Sequence, residues 1–244
     1  MLRIALEKVT HHYGQETALR DVTIAFADDV TTAVVGRSGS GKSTLLQCVN
    51  GLVRPGGGAV RVFDAPLDYS ALPAARRRMG WAVQGTGLFP HMTVAQNITL
   101  LARLEGWGEV QMRERMQALM RLVELPDAFA LRYPHELSGG EQQRVGLCRA
   151  MVLDPPVFLL DEAFGALDSI TRSEIHDEFE RLQAQAPRTI VMVTHDLREA
   201  VRLAQRLVIL EQGELVQHDT VANVLSNPAT PTVSELIASQ LERQ

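Results

Sequence analysis

The 244-residue chain is 45% hydrophobic and 22% charged, a composition typical of a globular protein with a substantial core. Its formal net charge of -5 at pH 7 lacks the basic excess that binding to DNA or RNA usually requires, so we expect no nucleic-acid partner. No apolar run approaches the roughly 20 residues needed to cross a bilayer, and Glu7 and Lys8 interrupt the region where a secretory signal needs apolar residues. These features predict a protein of the cytosol.

The first half of the chain contains several strand signals. The alternating apolar residues Val22, Ile24 and Phe26 predict a half-buried strand, and the continuous run Thr31–Val35 predicts a buried one. Residues Lys42–Gly51 predict a helix. Further strands are predicted at Ala59–Phe63, Met79–Val83, Val157–Asp161 and Thr189–Thr194, the last two being buried strands of the parallel kind. Together these elements predict an α/β fold.

Between Gln84 and Asp154 the strand signal is replaced by helical spacing of apolar residues. This spacing predicts a helical insert whose apolar stripe is core packing rather than a cofactor groove. The stripe consists of Met112, Met116, Leu119, Met120 and Val123. After Val221 the pattern predicts two short helices separated by proline-containing turns. Cys48 and Cys148 lie in apolar segments without metal-ligand spacing, which predicts two reduced core thiols.

A glycine-rich loop follows the predicted strand Thr31–Val35 and precedes a helix. Its sequence, Gly36–Ser43, matches the pattern GxxxxGK[ST] in the strand-to-helix context that a phosphate-binding loop needs. Glycines allow successive N–H groups to point inward, and the start of the helix adds its positive dipole end. We expect Lys42 to reach the β- and γ-phosphates of ATP or GTP, and the Ser43 hydroxyl to bind Mg²⁺. The predicted nucleotide contacts of this segment are Gly36, Ser38, Gly39, Ser40, Gly41, Lys42, Ser43 and Thr44.

Two adjacent carboxylates end the apolar strand Val157–Asp161, at the edge where open α/β sheets bind ligands. Because neighbouring side chains on a strand point to opposite sides, the two acids can have different roles. We expect Asp161 to hold Mg²⁺, through water, and Glu162 to act as the general base on the attacking water.

The segment Leu137–Arg144, with the sequence LSGGEQQR, resembles the signature motif of ABC ATPases. Gln84, residues 166–168 and His195 resemble the Q-loop, D-loop and H-loop of that family, in the family's order. The resemblance covers nearly the whole chain. It implies a P-loop NTPase fold of the α/β class, with a RecA-like, mostly parallel sheet core, an N-terminal antiparallel β subdomain and an inserted helical subdomain. In this reading, residues 1–84 and 154–244 form the nucleotide-binding core of a single 1–244 domain, and residues 85–153 form the helical insert.

The same resemblance implies the remaining site residues. The serine and glycines of the signature begin a second helix with exposed N–H groups, and in this family that segment closes over the nucleotide of the opposite subunit. A head-to-tail homodimer with two shared ATP sites is therefore expected. The nucleotide contacts that the signature and D-loop add are Ser138, Gly139, Gly140, Gln142 and Asp168.

Three further positions can be interpreted either as functional residues or as surface or capping residues. Gln84 would contact Mg²⁺ or the lytic water but could also be a surface residue at a strand end. His195 would contact the γ-phosphate and position Glu162, and a histidine at such a junction can also be a cap. Tyr13 matches the aromatic position that stacks on adenine, although a surface tyrosine would look the same. The expected catalytic residues are thus Glu162, His195, Gln84 and Lys42, and the expected Mg²⁺ contacts are Ser43, Gln84 and Asp161.

Two segments narrow the resemblance to importers. Leu88–Val94, followed by Asn97 and Ile98, looks like bacterial importers that use a substrate-binding protein. Asp161–Asp168, followed by Ile170, Thr171 and Arg172, resembles the subunits of osmoprotectant importers for quaternary amines. The expected partners are a second copy of the chain, permease subunits and, indirectly, a binding protein, at the inner face of the cell membrane. For an importer, an amino acid, sulfonate or lipid cargo stays open. The alternatives to an importer are a soluble ABC ATPase of DNA repair, translation or Fe–S assembly, and a nucleotide-binding regulator that does not hydrolyse.

Overall fold

The computed structural model describes residues 4–83, 85 and 87–241. The strands, in chain order, are β1 Ile4–Tyr13, β2 Glu16–Phe26, β3 Thr31–Val35, β4 Gly57–Val62, β5 Ala65–Pro66, β6 Met79–Ala82, β7 Val157–Asp161, β8 Thr189–Val193, β9 Arg206–Glu211 and β10 Glu214–Thr220. The α-helices are α1 Lys42–Val49, α2 Leu72–Arg76, α3 Val94–Leu104, α4 Glu109–Leu122, α5 Gly139–Met151, α6 Ser169–Gln185, α7 Leu197–Leu203, α8 Val221–Ser226 and α9 Pro231–Leu241. Two short 3₁₀ helices cover Asp127–Leu131 and Pro134–Glu136.

The elements that the sequence predicted are confirmed, with small differences at their ends. The predicted strand Val157–Asp161 is β7 itself, and the predicted helix Lys42–Gly51 ends two residues early, because Asn50 is its C-cap. The pairing strands β1, β9 and β10 were not predicted. In β10 the burial pattern is intermediate at five successive positions, so its sequence carries little of the alternation that marks a strand.

The chain forms two compact units, and the first contains Met1–Arg76 and Pro187–Gln244. Here β2, β1, β4 and β5 form an antiparallel sheet in that order, in which Ile4 pairs with Phe26 on one side and Val62 on the other. In the same unit β3 pairs in parallel with both β8 and β9, and β10 is antiparallel to β9. Every residue of β3 and β8 is buried, as expected for parallel strands covered on both faces.

The second unit contains Arg77–Ala186. Its strands β6 and β7 are parallel, and α3, α4 and α5 pack together beside them. A side chain at Gly80 of β6 would overlap the carbonyl oxygen of Ala150 on α5, so glycine permits the close approach of helix and strand. The stripe at 112–123 is buried, which confirms that it is core packing. This unit is wider than the predicted insert 85–153 because it also includes β6, β7 and α6, and the family's subdomain boundaries stay a prediction.

Within residues 4–83, 85 and 87–241, none of the helices combines the length and the apolar character required to span a bilayer.

The two cysteines are free and buried, as predicted. Burial raises the pKa of the Cys48 thiol to about 12, and burial also raises the pKa of Cys148. Because the thiolate is the reactive form, we expect neither thiol to react with Ellman's reagent at pH 8 in the folded protein. Both should react within seconds in guanidinium chloride, as followed by thionitrobenzoate absorbance. Rapid native labelling of either residue would contradict the burial described above.

Candidate functional site

The phosphate loop of the first unit lies between the end of β3 and the start of α1. Gly39 and Gly41 have φ angles of 78° and 99°, in the left-handed region that favours glycine. A side chain at Gly41 would also overlap the carbonyl oxygen of Ala18, so close backbone approach fixes this position as glycine. The N-cap of α1 is Gly41, which has no side chain with which to cap the helix start. The first N–H groups of α1 lie beside the loop, where an anion can accept hydrogen bonds from them.

Lys42 is held inside this loop. Its ammonium donates to the carbonyl oxygens of Gly36, at 2.9 Å, and Arg37, at 2.8 Å, and the residue is 7% exposed. A buried cation surrounded by backbone dipoles is a strong electrostatic attractor for an anion in the same concavity.

The residues of the loop fit a magnesium-bound polyphosphate. The Ser40 hydroxyl is buried and has no hydrogen-bond partner among the residues that the structure describes, so an acceptor or donor from a ligand would satisfy it. Ser43 and Thr44 begin α1 beside Lys42 and supply hydroxyl oxygens, which suit a hard cation such as Mg²⁺. A bound nucleotide would add phosphate charge that the lysine and the helix N-terminus neutralise.

Tyr13 lies at the end of β1 and is 49% exposed. Its hydroxyl donates to the Gln47 side chain of α1 at 3.3 Å, and its ring meets the His11 ring edge-on at 4.6 Å. The ring is therefore held beside the helix that begins at the phosphate loop, with an exposed surface on which a base can stack.

His195 lies at the same edge of the sheet as the phosphate loop. In the parallel register of β3 and β8, Val34 is opposite Val193, and the N–H of Thr194 donates to the Val34 carbonyl at 3.3 Å. The next residue, His195, is exposed and precedes Asp196, the N-cap of α7. The histidine is thus placed by the sheet, and the capping role belongs to Asp196.

In the second unit, β7 delivers the two carboxylates. Asp161 is the last strand residue and is 4% exposed. Glu162 follows with a φ of 48°, a left-handed conformation that costs a residue other than glycine about 1–2 kcal/mol. The turn at Glu162 therefore needs support from its surroundings.

Gln143 of α5 supplies that support, and the sequence analysis did not identify it. Its side-chain amide donates to the Glu162 carbonyl at 2.9 Å, while its oxygen accepts from the Ala166 N–H at 2.8 Å. Gln143 is 5% exposed, so these bonds form away from water, where an unpaired group is costly. The glutamine thereby ties the signature helix to the turn that carries Glu162.

The signature segment begins α5 with a capping box. The Ser138 hydroxyl accepts from the Glu141 N–H at 3.3 Å, and the Glu141 carboxylate accepts from the Ser138 N–H at 2.7 Å. The hydrogen bond from the Ser138 N–H holds the pKa of Glu141 below its usual value. A side chain at Gly139 would meet no described atom within 4 Å, so nothing in the described structure requires glycine there. An external group that approaches the helix start closely would require it.

The other predicted contacts have intrachain roles as well. The Gln142 amide donates to the Leu137 carbonyl at 3.1 Å. Asp168 is the N-cap of α6 and accepts from the N–H groups of Ile170 and Thr171, both at 3.1 Å. Its hydrogen bonds with Thr171 lower the pKa of Asp168. Gln84 lies outside the described residues.

Comparisons with known proteins agree with these features. A family described as ABC transporter matches residues 19–165. The choline transport ATP-binding protein OpuBA of Bacillus subtilis is 42% identical over 238 residues, which cover 97% of this chain and 62% of that protein. The glycine betaine uptake system ATP-binding protein YehX of Escherichia coli is 42% identical over 232 residues, or 95% of this chain and 75% of YehX. The chain thus spans about three fifths of the length of the first of these relatives.

Among solved structures, the dimeric bacterial ABC transporter cassette MJ0796 is similar to this chain with a TM-score of 0.85 and 33% identity. The match covers 89% of this chain and 98% of MJ0796. The same cassette in a post-hydrolysis dimer bound to ADP and Pi gives a TM-score of 0.84 at 31% identity. The predicted fold class and the predicted resemblance to osmoprotectant importer subunits are therefore confirmed.

The Gln143 contacts predict a measurable stability difference between neighbouring glutamines. Replacing Gln143 with Ala leaves the Glu162 carbonyl with one bond fewer and the Ala166 N–H without its side-chain acceptor, so unfolding free energy should fall by about 1–3 kcal/mol. Gln142→Ala is the matched control on the same helix, since it removes a single bond to Leu137 at a less buried residue. Urea unfolding followed by circular dichroism measures both. Equal losses in the two variants would contradict the expectation that the two buried bonds of Gln143 contribute more than the single bond of Gln142.

Proposed function

Since the chain belongs to the ABC transporter family, we propose that it is the ATP-binding and ATP-hydrolysing subunit of an importer. The observation that carries the proposal is the phosphate loop with Lys42 held against its carbonyl oxygens at 2.8 and 2.9 Å. A buried ammonium beside left-handed glycines and the start of a helix is an arrangement that a polyphosphate stabilises.

The nucleotide is ATP with Mg²⁺. Tyr13 stacks on the adenine and Lys42 neutralises the β- and γ-phosphates, while Ser43 and, by the family resemblance, Asp161 would bind the metal ion. Gln84 completes the metal or water contacts. Bound Mg²⁺ would neutralise charge that develops on the phosphate oxygens.

Hydrolysis depends on Glu162 and His195. Glu162 orients and deprotonates the attacking water, and His195 contacts the γ-phosphate. The bridge from Gln143 fixes the backbone of Glu162, which supports a role that needs defined geometry.

Each nucleotide is shared between two copies of the chain. The exposed start of α5 at Ser138, Gly139 and Gly140 binds the γ-phosphate held by the partner copy's phosphate loop. Gly139 supports this arrangement, because nothing described within its own chain accounts for the missing side chain. A charge-stabilising group supplied in trans can raise phosphoryl-transfer rates by about 10³–10⁵ in GTPases, which is a precedent for such sharing.

The ATPase cycle drives import of a quaternary amine through separate permease subunits, with the chain docked on the inner face of the cell membrane. ATP binding closes the dimer, and hydrolysis with product release reopens it. The names of the relatives, which include choline and glycine betaine transport proteins, support this class of cargo.

Replacing Glu162 with Gln tests the catalytic assignment. Removing the general base should lower turnover by about 10²–10⁴-fold while ATP still binds, so Mg-ATP should trap a dimer. Phosphate release measures turnover, and light scattering after size-exclusion chromatography measures the dimer. Glu114→Gln, at an exposed carboxylate on α4, is the control and should retain normal turnover. Undiminished hydrolysis in Glu162→Gln, or a monomer in saturating Mg-ATP, would refute the proposed mechanism.

Reconstitution tests the cargo. In liposomes that contain the complete transporter, ATPase activity should rise when the binding protein is loaded with choline or glycine betaine, because the cycle is coupled to transport. Proline and taurine, which lack a quaternary ammonium group, serve as the comparison cargos. Stimulation by these and not by the quaternary amines would assign another substrate class. Stimulation of the isolated subunit by nucleic acid would favour the soluble ABC ATPases instead.

A further inference from the structure

The first turn of α7 uses a cap from a distant part of the chain. Asp196 accepts from the N–H groups of Arg198, at 2.9 Å, and Glu199, at 3.4 Å, and so covers two of the first three donors. The remaining donor, the N–H of Leu197, belongs to a fully buried residue and lies beyond the reach of an ordinary N-cap side chain. It donates to the side-chain oxygen of Gln240, on α9, at 2.6 Å.

Gln240 contacts the same turn a second time. Its backbone carbonyl accepts from the Arg198 guanidinium at 3.0 Å. The orientation of the Gln240 amide follows from the chemistry, because an N–H group can donate only to the oxygen end. Helix α9 is therefore joined to the start of α7 by a side-chain bond and a backbone bond.

This turn directly follows His195. On the strand side, β8 fixes the backbone through the Thr194 N–H bond to Val34, and the Thr194 hydroxyl accepts from the Asp196 N–H at 3.0 Å. On the helix side, Gln240 contacts Leu197 from outside the segment. His195 therefore lies between these two sets of backbone bonds, and its side chain is exposed.

Helix α9 also faces the phosphate loop. A cavity of about 680 Å³ separates residues 36–40 of the loop from α9, where Thr232, Glu235 and Ser239 line it. The buried Val233 anchors the beginning of α9, and the two Gln240 contacts hold its end. The cavity lies between α9 and the phosphate loop, so the helix is not closely packed against residues 36–40. The two contacts of Gln240 are therefore well placed to set the position of the C-terminal end of α9.

We propose that Gln240 is a positioning residue for His195, through which α9 sets the hydrolytic competence of the nucleotide site. The inference rests on the proposed function in that His195 acts on the γ-phosphate. Gln240 itself acts through the backbone N–H of Leu197 and touches no nucleotide. A displacement of α9 would release the turn after His195 and slow hydrolysis, while the phosphate loop would still bind ATP.

Two substitutions separate this role from general stability. Gln240→Leu removes the acceptor at similar size, whereas Gln240→Glu keeps an oxygen in place and adds a charge that suits a helix N-terminus. With Gln240→Leu, kcat should fall by about ten- to a hundredfold, as small misplacements of a catalytic group do, with KM for ATP unchanged. Gln240→Glu should restore kcat. Ser234→Ala, at an exposed position on α9, is the control that should match the unsubstituted protein.

Two measurements that do not depend on ATPase activity test whether Gln240 positions His195. Hydrogen exchange followed by NMR should show faster exchange of the Leu197 amide in Gln240→Leu and normal exchange in Gln240→Glu. The His195 ring signals, assigned with His195→Asn, should shift in Gln240→Leu alone. The melting temperature of Gln240→Leu should fall because the buried Leu197 N–H loses its acceptor, so circular dichroism at the assay temperature checks that the variant is folded.

Unchanged exchange at Leu197 in Gln240→Leu would overturn the proposal, as would faster exchange with unmoved His195 signals or an unchanged kcat. A wild-type protein without ATPase activity would instead refute the proposed function. The exchange and ring signals would then still decide whether Gln240 positions His195.

Discussion

The parallel pairing of β3 with β8 is the constraint on which the site in the first unit depends. Val34 lies opposite Val193, so both strands end at one edge of the sheet and pass directly into functional segments. The phosphate loop follows β3, and His195 follows β8 one residue beyond the last bond between the strands. Because both strands are wholly buried, sliding one along the other would disrupt close packing on both faces of the sheet, and the edge is therefore fixed by packing energy.

Loops at this edge are held by bonds that do not come from the sheet. Lys42 draws the loop carbonyls around its ammonium, and Gln240 holds the turn after His195 from another helix. In the second unit Gln143 performs the same task for the strained turn at Glu162. In each case a long polar side chain adds hydrogen bonds to backbone groups of a loop or turn. These three side chains hold the backbone of the loops and turns that carry the proposed functional residues.

Glycine positions divide into two groups with different physical causes. Gly41 and Gly80 are needed by the fold, because a side chain would overlap backbone atoms of the same unit. Gly39 and Gly139 have open space where a side chain would lie, although Gly39 also needs its left-handed conformation. The second group lies where the proposed ATP dimer brings phosphate and a partner chain close to the backbone. Glycines of the first group allow close backbone packing within the chain, and those of the second group would allow close approach of a ligand or a partner chain.

The sequence by itself determined the strands β3, β7 and β8, the helix α1 and the motifs at Gly36–Ser43 and Leu137–Arg144, because each depends on residues adjacent in the chain. Burial of continuous apolar runs and the local chemistry of capping and left-handed glycines are readable at short range. Only the tertiary structure decided that Gln143 bridges Glu162 and Ala166, or that Gln240 caps a helix that begins 43 residues earlier. An amide side chain looks the same in sequence whether it faces water or a buried N–H group, and its partner is chosen by the packing of elements distant in the chain.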